Sequence, residues 1–112
     1  MTGAGTVSRS SWIKVAENGD VDVDGVRMVK AGAHLLALVR TRSGYGALAN
    51  ACPHMQGPLA QGHIEEGRLV CPWHGRAFDP RTGDCDGYAE AARAFAVEVR
   101  ADGIYVDAGS PD

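Results

Sequence analysis

Cys52-Pro53-His54 and Cys71-Pro72-Trp73-His74 place two cysteine–histidine pairs on either side of residues 55–70. Thiolate sulfur and neutral imidazole nitrogen are ligands for soft and borderline metal ions. Within each pair the ligands are almost adjacent, so each pair belongs to one loop tip. Two tips joined by a hairpin's length of chain can close on a common centre. Pro53 and Pro72 fix φ and stiffen the tips. Gly57 and Gly75 allow close backbone approach and present amide N–H groups able to donate to sulfur. A structural zinc site also takes two Cys and two His. Common zinc modules, however, draw the cysteines from one close pair and the histidines from another, whereas here each loop supplies one of each. That interleaving favours a two-iron centre in which one iron takes both thiolates and the other both imidazoles, with zinc as the competing reading.

The elements that must position these loops read as β. Trp12, Ile13 and Val15 open a short strand that Asn18-Gly19 ends. Asp24-Gly25 is a second turn, followed by Val26, Met28 and Val29. Residues 33–40 (AHLLALVR) are apolar enough for a central strand buried on both faces. Arg42-Ser43-Gly44 turns the chain into residues 45–49, and Asp102-Gly103 joins the runs 95–99 and 104–106 into a hairpin. Short β segments punctuated by Xxx-Gly turns imply an antiparallel sandwich or barrel. Residues 51–87 differ: Pro53, Pro58, Pro72 and Pro80 with many glycines leave few continuous apolar runs. Such a segment needs something besides hydrophobic burial to hold it, and a metal centre would do so. Residues 89–94 (AEAARA) have helix-forming composition but are too short to form a helix alone.

CPHMQGPL (52–59) and CPWHGRAFD (71–79) resemble the two ligand boxes of the Rieske iron–sulfur family, C-x-H and C-x-x-H. SWIKVAE, ALANACPH, FDPRTGD and VEVRADGIYVD extend the likeness to small Rieske ferredoxins over residues 11–107. The resemblance implies a Rieske-type antiparallel β-sandwich base with an inserted smaller cluster-binding β subdomain at about 51–87. Residues 1–10 are read as a disordered N-terminus and 108–112 as a tail. It further implies one 2Fe–2S cluster ligated by Cys52, His54, Cys71 and His74. Two imidazoles in place of two thiolates make the centre less negative and easier to reduce than a plant-type one. The high-potential members carry extra loop cysteines where this chain has Gly57 and Trp73, and hydroxyl donors where it has Arg76 and Phe78. A low-potential cluster is therefore expected. The third loop of low-potential ferredoxins contains proline, but residues 83–90 (GDCDGYAE) do not, and Tyr88 is the residue expected to shape the cover instead.

The implied role is a soluble one-electron carrier. It would take electrons from an NAD(P)H-dependent flavin reductase and pass them to a terminal Rieske non-haem iron oxygenase of the aromatic-ring dioxygenase type. The chain would be monomeric and not itself an enzyme. The alternative is a small electron-transfer subunit of another oxidoreductase, such as assimilatory nitrite reductase. A terminal oxygenase would need a mononuclear iron site of two His and a carboxylate, and only His34 and His63 remain after the cluster takes its share. Met55 and Trp73, each beside a ligand histidine, are candidates both for shielding the cluster and for docking a partner. Arg76 is read as bonding either a carbonyl or a partner carboxylate. Cys85 is read as a small buried hydrophobe, His34 as a core or edge histidine, His63 as solvated, Glu65 and Glu66 as an exposed turn, and Trp12 as packing.

Bulk properties agree. The 112 residues fit one domain, with 45% hydrophobic and 22% charged residues. Eleven basic against fourteen acidic residues give a net charge of −3 and no basic stripe, so nucleic acid is not an expected partner. The longest apolar run, 33–39, is far short of a membrane span. Residues 1–10 show no export signal, and three cysteines do not make a disulfide framework, so a cytoplasmic location is expected.

Overall fold

The computed structural model describes residues 12–51, 58–73, 75–85, 87–88 and 90–108. The expectations for residues 1–10 and 109–112 lie outside this set. So do those for Cys52, His54, Met55 and His74. Among the described residues, ten strands and one 3-10 turn follow in order: β1 (Trp12–Ala16), β2 (Gly25–Ala31), β3 (His34–Thr41), β4 (Gly44–Ala49), the turn Leu59–Gln61, β5 (His63–Glu65), β6 (Arg68–Val70), β7 (Ala77–Phe78), β8 (Ala94–Phe95), β9 (Val97–Arg100) and β10 (Gly103–Asp107). They form three antiparallel sheets in the orders β9-β10-β1, β2-β3-β4-β8 and β5-β6-β7. Among the described residues no helix is long and apolar enough to cross a membrane.

The four-stranded sheet is the middle layer, and β3 shows why. Successive side chains of a strand point to opposite faces. Leu36 and Leu38 enter one core, with Val29, Ala47, Ile104 and Val106. Ala37 and Val39 enter a second core, with Leu48, Leu59, Leu69 and Phe78. All four β3 residues are fully buried, as expected of a strand buried on both faces. The register opposes large to small, Leu38 to Ala47 and Ala37 to Leu48, so both faces fill without crowding. One face carries the β9-β10-β1 sheet and completes the sandwich. The other carries the small sheet β5-β6-β7, the expected inserted subdomain.

The turn dipeptides fall where they were read. Gly19, Gly44 and Gly103 all have positive φ, a backbone region that glycine enters without steric cost. Asn18 also donates through Nδ2 to the carbonyls of Arg100 and Ala101, at 3.1 Å each, tying the first turn to the β9–β10 turn. One expectation is corrected. Residues 95–99 are not a single strand. Phe95 ends β8, paired with Ala47 on the middle sheet, and Val97 begins β9, paired with Val106 on the outer sheet. The exposed Ala96 is the corner between sheets, with its carbonyl accepting the Asp107 amide at 3.0 Å. Residues 90–93 are extended coil, in keeping with the short helix-forming run being insufficient alone.

Asp79 braces the reversal that follows β7. Its Oδ1 accepts the Arg81 amide at 2.9 Å and its Oδ2 accepts from Arg68 Nη1 at 3.0 Å. Its own amide and carbonyl pair with Asp84 and Gly83. The Arg81 amide chiefly, helped by the Thr82 amide and Arg68 against the opposing effect of burial, holds the Asp79 carboxyl below its ordinary value. The folded carboxyl thus titrates below the unfolded one. Its contribution is complete above about pH 4 and disappears as pH falls through the lowered value. Asp79→Asn is expected to cost about 1 kcal/mol at neutral pH, with the gap to the native protein closing in acid. Urea unfolding at neutral pH and at about pH 3 measures both gaps; equal gaps would remove the carboxylate's charge from the account.

Candidate metal centre

Each ligand loop is closed at its base. For the first loop, Ala51 and Pro58 form an antiparallel bridge, and Asn50 fastens both ends. The Asn50 amide donates to Leu35 O at 2.9 Å, its carbonyl accepts the Leu59 amide at 2.7 Å, and its Oδ1 accepts the Ala60 amide at 2.8 Å. An Asx side chain at a strand end competes well for neighbouring amides. That was the available signal for Asn50, which reading the sequence for metal ligands passed over. Leu59, fully buried, plugs the loop into the second core.

The second loop is the tip of the β6–β7 hairpin, with Leu69 opposite Phe78 and Val70 opposite Ala77. The Cys71 amide donates to Arg76 O at 2.8 Å, and the Gly75 amide donates back to Cys71 O at 3.0 Å. Gly75 makes this reversal at φ +73, with open space where a Cβ would stand. Cys71 is 1% exposed and belongs to the same core as Leu59. Two residues on, Trp73 is 57% exposed, so within three positions the chain passes from core to solvent.

The hairpin register brings the two loops together. His63 pairs with Val70, and Glu65 with Arg68. The chain leaving the first loop through Leu59–Gly62 therefore reaches β5 at the same end of the hairpin from which Cys71 departs. The turn Glu66-Gly67 closes the opposite end. Gly62 lies against Val70, and a Cβ built on Gly62 would fall on the Val70 carbonyl oxygen. This packing holds the two loop bases side by side.

A third segment meets the second loop at Arg76. Cys85 bridges to Phe78 and is 5% exposed, a small buried hydrophobe as expected. The chain then turns, with the Tyr88 amide donating to Cys85 O at 3.1 Å. Arg76 was open between a carbonyl and a partner carboxylate. The structure gives it an internal carboxylate instead: Nη1 lies 2.6 Å from Glu90 Oε1, and the guanidinium sits 3.8 Å from the Tyr88 ring centroid. The hydrogen bond to Glu90 raises the Arg76 pKa above its ordinary value. Tyr88, expected to shape the cover, is half exposed beneath that cation. His63 is exposed and bonds Glu65 at 2.9 Å, while the His34 ring lies tilted against Phe95 with 5.3 Å between ring centroids. Trp12 packs under Arg100.

The donor set suits a cluster. Cys71 presents a sulfur donor in a dry setting, packed in one core with Leu59, Leu69 and Phe78. The same loop is open to solvent at Trp73 and Gly75. Comparisons with known proteins then place the chain. The model of the Rieske [2Fe-2S] domain family matches residues 11–99. The chain is 34% identical over 98 residues to apoptosis-inducing factor 3 of Homo sapiens, covering 86% of this chain and 15% of that protein. It is 31% identical over 98 residues to ferredoxin CarAc of Metapseudomonas resinovorans, covering 85% of this chain and 92% of the ferredoxin. A chain in the complex of reduced oxygenase and oxidized ferredoxin in carbazole 1,9a-dioxygenase superposes with a TM-score of 0.77 at 30% identity, covering 86% and 92% of the two chains. Several other curated relatives are much longer: this chain spans 20% of 4beta-methylsterol monooxygenase from Methylococcus capsulatus, as it spans 15% of the apoptosis-inducing factor. The all-β architecture, the paired boxes and the matched family model lead to one conclusion: the chain belongs to the Rieske [2Fe-2S] domain family and carries one Rieske-type 2Fe–2S cluster.

Proposed function

We propose that Cys52, His54, Cys71 and His74 ligate the cluster. On this reading the chain is a one-electron carrier between an NAD(P)H-dependent flavin reductase and a terminal Rieske non-haem iron oxygenase. The observation that carries the reading is the emergence of both ligand loops at one end of the β5–β6 hairpin, from a core they share. Residues 51–87 then form the cluster-binding part of a domain running from 11 to 107. The cluster, when bound, takes up and releases one electron. The chain's own residues do the rest. Cys71 is held dry by Leu59, Leu69 and Phe78, while Asn50 and the Cys71–Arg76 bond fix the loop bases, so little reorganisation accompanies the change of charge. Trp73, exposed beside His74, offers an apolar contact for a partner, and Met55 is assigned the same role on the other loop. Likeness to ferredoxin CarAc over 92% of its length, and to a chain in an oxygenase–ferredoxin complex, supports the carrier over a fixed subunit of another oxidoreductase. The carrier works as a cytoplasmic monomer with no catalysis of its own.

Neither Phe78, buried in the core, nor Arg76, engaged with Glu90, offers an O–H to the cluster sulfurs. Fewer such donors mean less stabilisation of the reduced state. The expected midpoint is near the lower end of the ~−150 to +300 mV Rieske range. The test combines a redox titration with reduction by NADH through a flavin-dependent ferredoxin reductase, followed by reoxidation by a Rieske oxygenase. A clearly positive midpoint, or a colourless protein with a single zinc ion, would end this reading.

A further inference from the structure

We propose that the Arg76 side chain is a latch that holds the proline-free third segment over the second ligand loop and so governs how readily solvent and oxidants reach the cluster. This inference rests on the ligand assignment above and extends it to a positioning residue outside the ligand set. Arg76 has two separate jobs in the structure. Its backbone carbonyl closes the second loop by accepting the Cys71 amide. Its side chain leaves that loop and grips the third segment twice, through the ion pair with Glu90 and the cation–π contact with Tyr88. The Arg76 side chain is only 12% exposed although its partner Glu90 is 57% exposed, so the arginine end of the pair is withdrawn from solvent. A planar cation with several N–H donors can stack and form an ion pair at once, which lysine cannot reproduce.

The rest of the segment shows why a latch is needed. Gly87 takes φ +82, with nothing within 4 Å of where a Cβ would lie, so the turn is open on that side. The segment is anchored by backbone bonds at its two ends, Cys85 to Phe78 and Ala92 to Gly83. Between those anchors Tyr88 and Glu90 extend to Arg76. A proline would stiffen such a cover through its fixed φ; here a side-chain clamp supplies the restraint. Because the loop closure uses only the backbone of Arg76, changing the side chain opens the cover without undoing the loop.

The test compares cluster-loaded wild type with Arg76→Met, which keeps the apolar stem, and with Glu90→Gln and Tyr88→Leu. Amide hydrogen exchange read on residues 87–91 is expected to accelerate roughly tenfold in Arg76→Met, the scale of losing one ion pair and one cation–π contact. Bleaching of the visible absorption in the presence of an iron chelator is expected to accelerate in parallel, with smaller effects in the other two variants. Arg76→Met combined with Glu90→Gln should be no worse than Arg76→Met alone, because both remove one pair. Arg100→Met breaks a pair of the same type with Glu98 on the outer sheet and should change neither readout. Wild-type exchange and bleaching in Arg76→Met, or additivity in the double variant, would overturn the latch. A wild-type protein without iron and sulfide would instead overturn the ligand assignment, and the exchange of residues 87–91 would still decide the latch.

Discussion

Replacing Cys71 by serine strips the protein of its iron and acid-labile sulfide. The hydroxyl is a far poorer ligand than a thiolate, and at this position it would be almost wholly removed from water. The variant therefore loses metal affinity and also buries an unsatisfied polar group beside Leu59, Leu69 and Phe78. Since metal binding is also folding free energy for a Pro- and Gly-rich segment, the loops lose their tie as the cluster is lost. Metal and sulfide content should fall to less than about a tenth of wild type, with the visible spectrum going with it. Cys85→Ala is the matched comparison. Cys85 is equally buried and in the same core, but it stands outside the four-ligand set, so this variant should keep the wild-type iron content. If Cys71→Ser retains a full complement of iron and sulfide, or if Cys85→Ala loses it, the ligand assignment is wrong.

Among the described glycines, Gly83→Ala should be the most destabilising alanine substitution. Gly83 has φ +83, and a Cβ built there would fall on the backbone carbonyl of Ala92. The same glycine donates to Asp79 O at 2.7 Å and accepts the Ala92 amide at 2.8 Å, so the backbone is bonded on both sides and has little room to yield. Left-handed backbone costs an alanine about 1–2 kcal/mol, and overpacking against an unyielding neighbour adds about 1–3 kcal/mol. The sum, roughly 2–5 kcal/mol, corresponds to a fall in Tm of about 10–30 °C for a domain of this size. Gly19→Ala isolates the first part. Gly19 has φ +92 with nothing within 4 Å, so only the conformational cost applies and the fall should be about half as large. Thermal unfolding of the loaded proteins by circular dichroism measures both, and equal losses would show that contact with Ala92 does not govern the site.

Much of this architecture is visible in the amino-acid sequence because local physics specifies it. Glycine after Asn18, Ser43 or Asp102 marks a backbone reversal wherever it occurs. The apolar run in β3 offers no polar face at residues 36–39, and those four residues are buried on both sides, although Leu35 before them is half exposed. The ligand boxes are legible because few other roles would pair Cys with His twice inside a segment so poor in core residues. What escaped was decided by distant parts of the chain. The corner at Ala96 divides a continuous β-like run because Phe95 finds Ala47 on one sheet and Val97 finds Val106 on another, and no local pattern announces that exchange. Arg76 finds Glu90 only once β7 and the Asp79 reversal have folded the intervening chain back. Asn50 is one polar residue among several near the first box, and its role appears only when Leu59 and Ala60 return to it.

The sorting of side chains along β3 bears on how such a protein matures. Among the described residues, the interior fed by Leu36 and Leu38 contains none from either ligand box, whereas the interior fed by Ala37 and Val39 includes Cys71. The first interior can be filled by side chains alone, whereas closing the second draws on the inorganic centre as well. The supply of iron and sulfide therefore bears on one face of a strand whose other face does not need it.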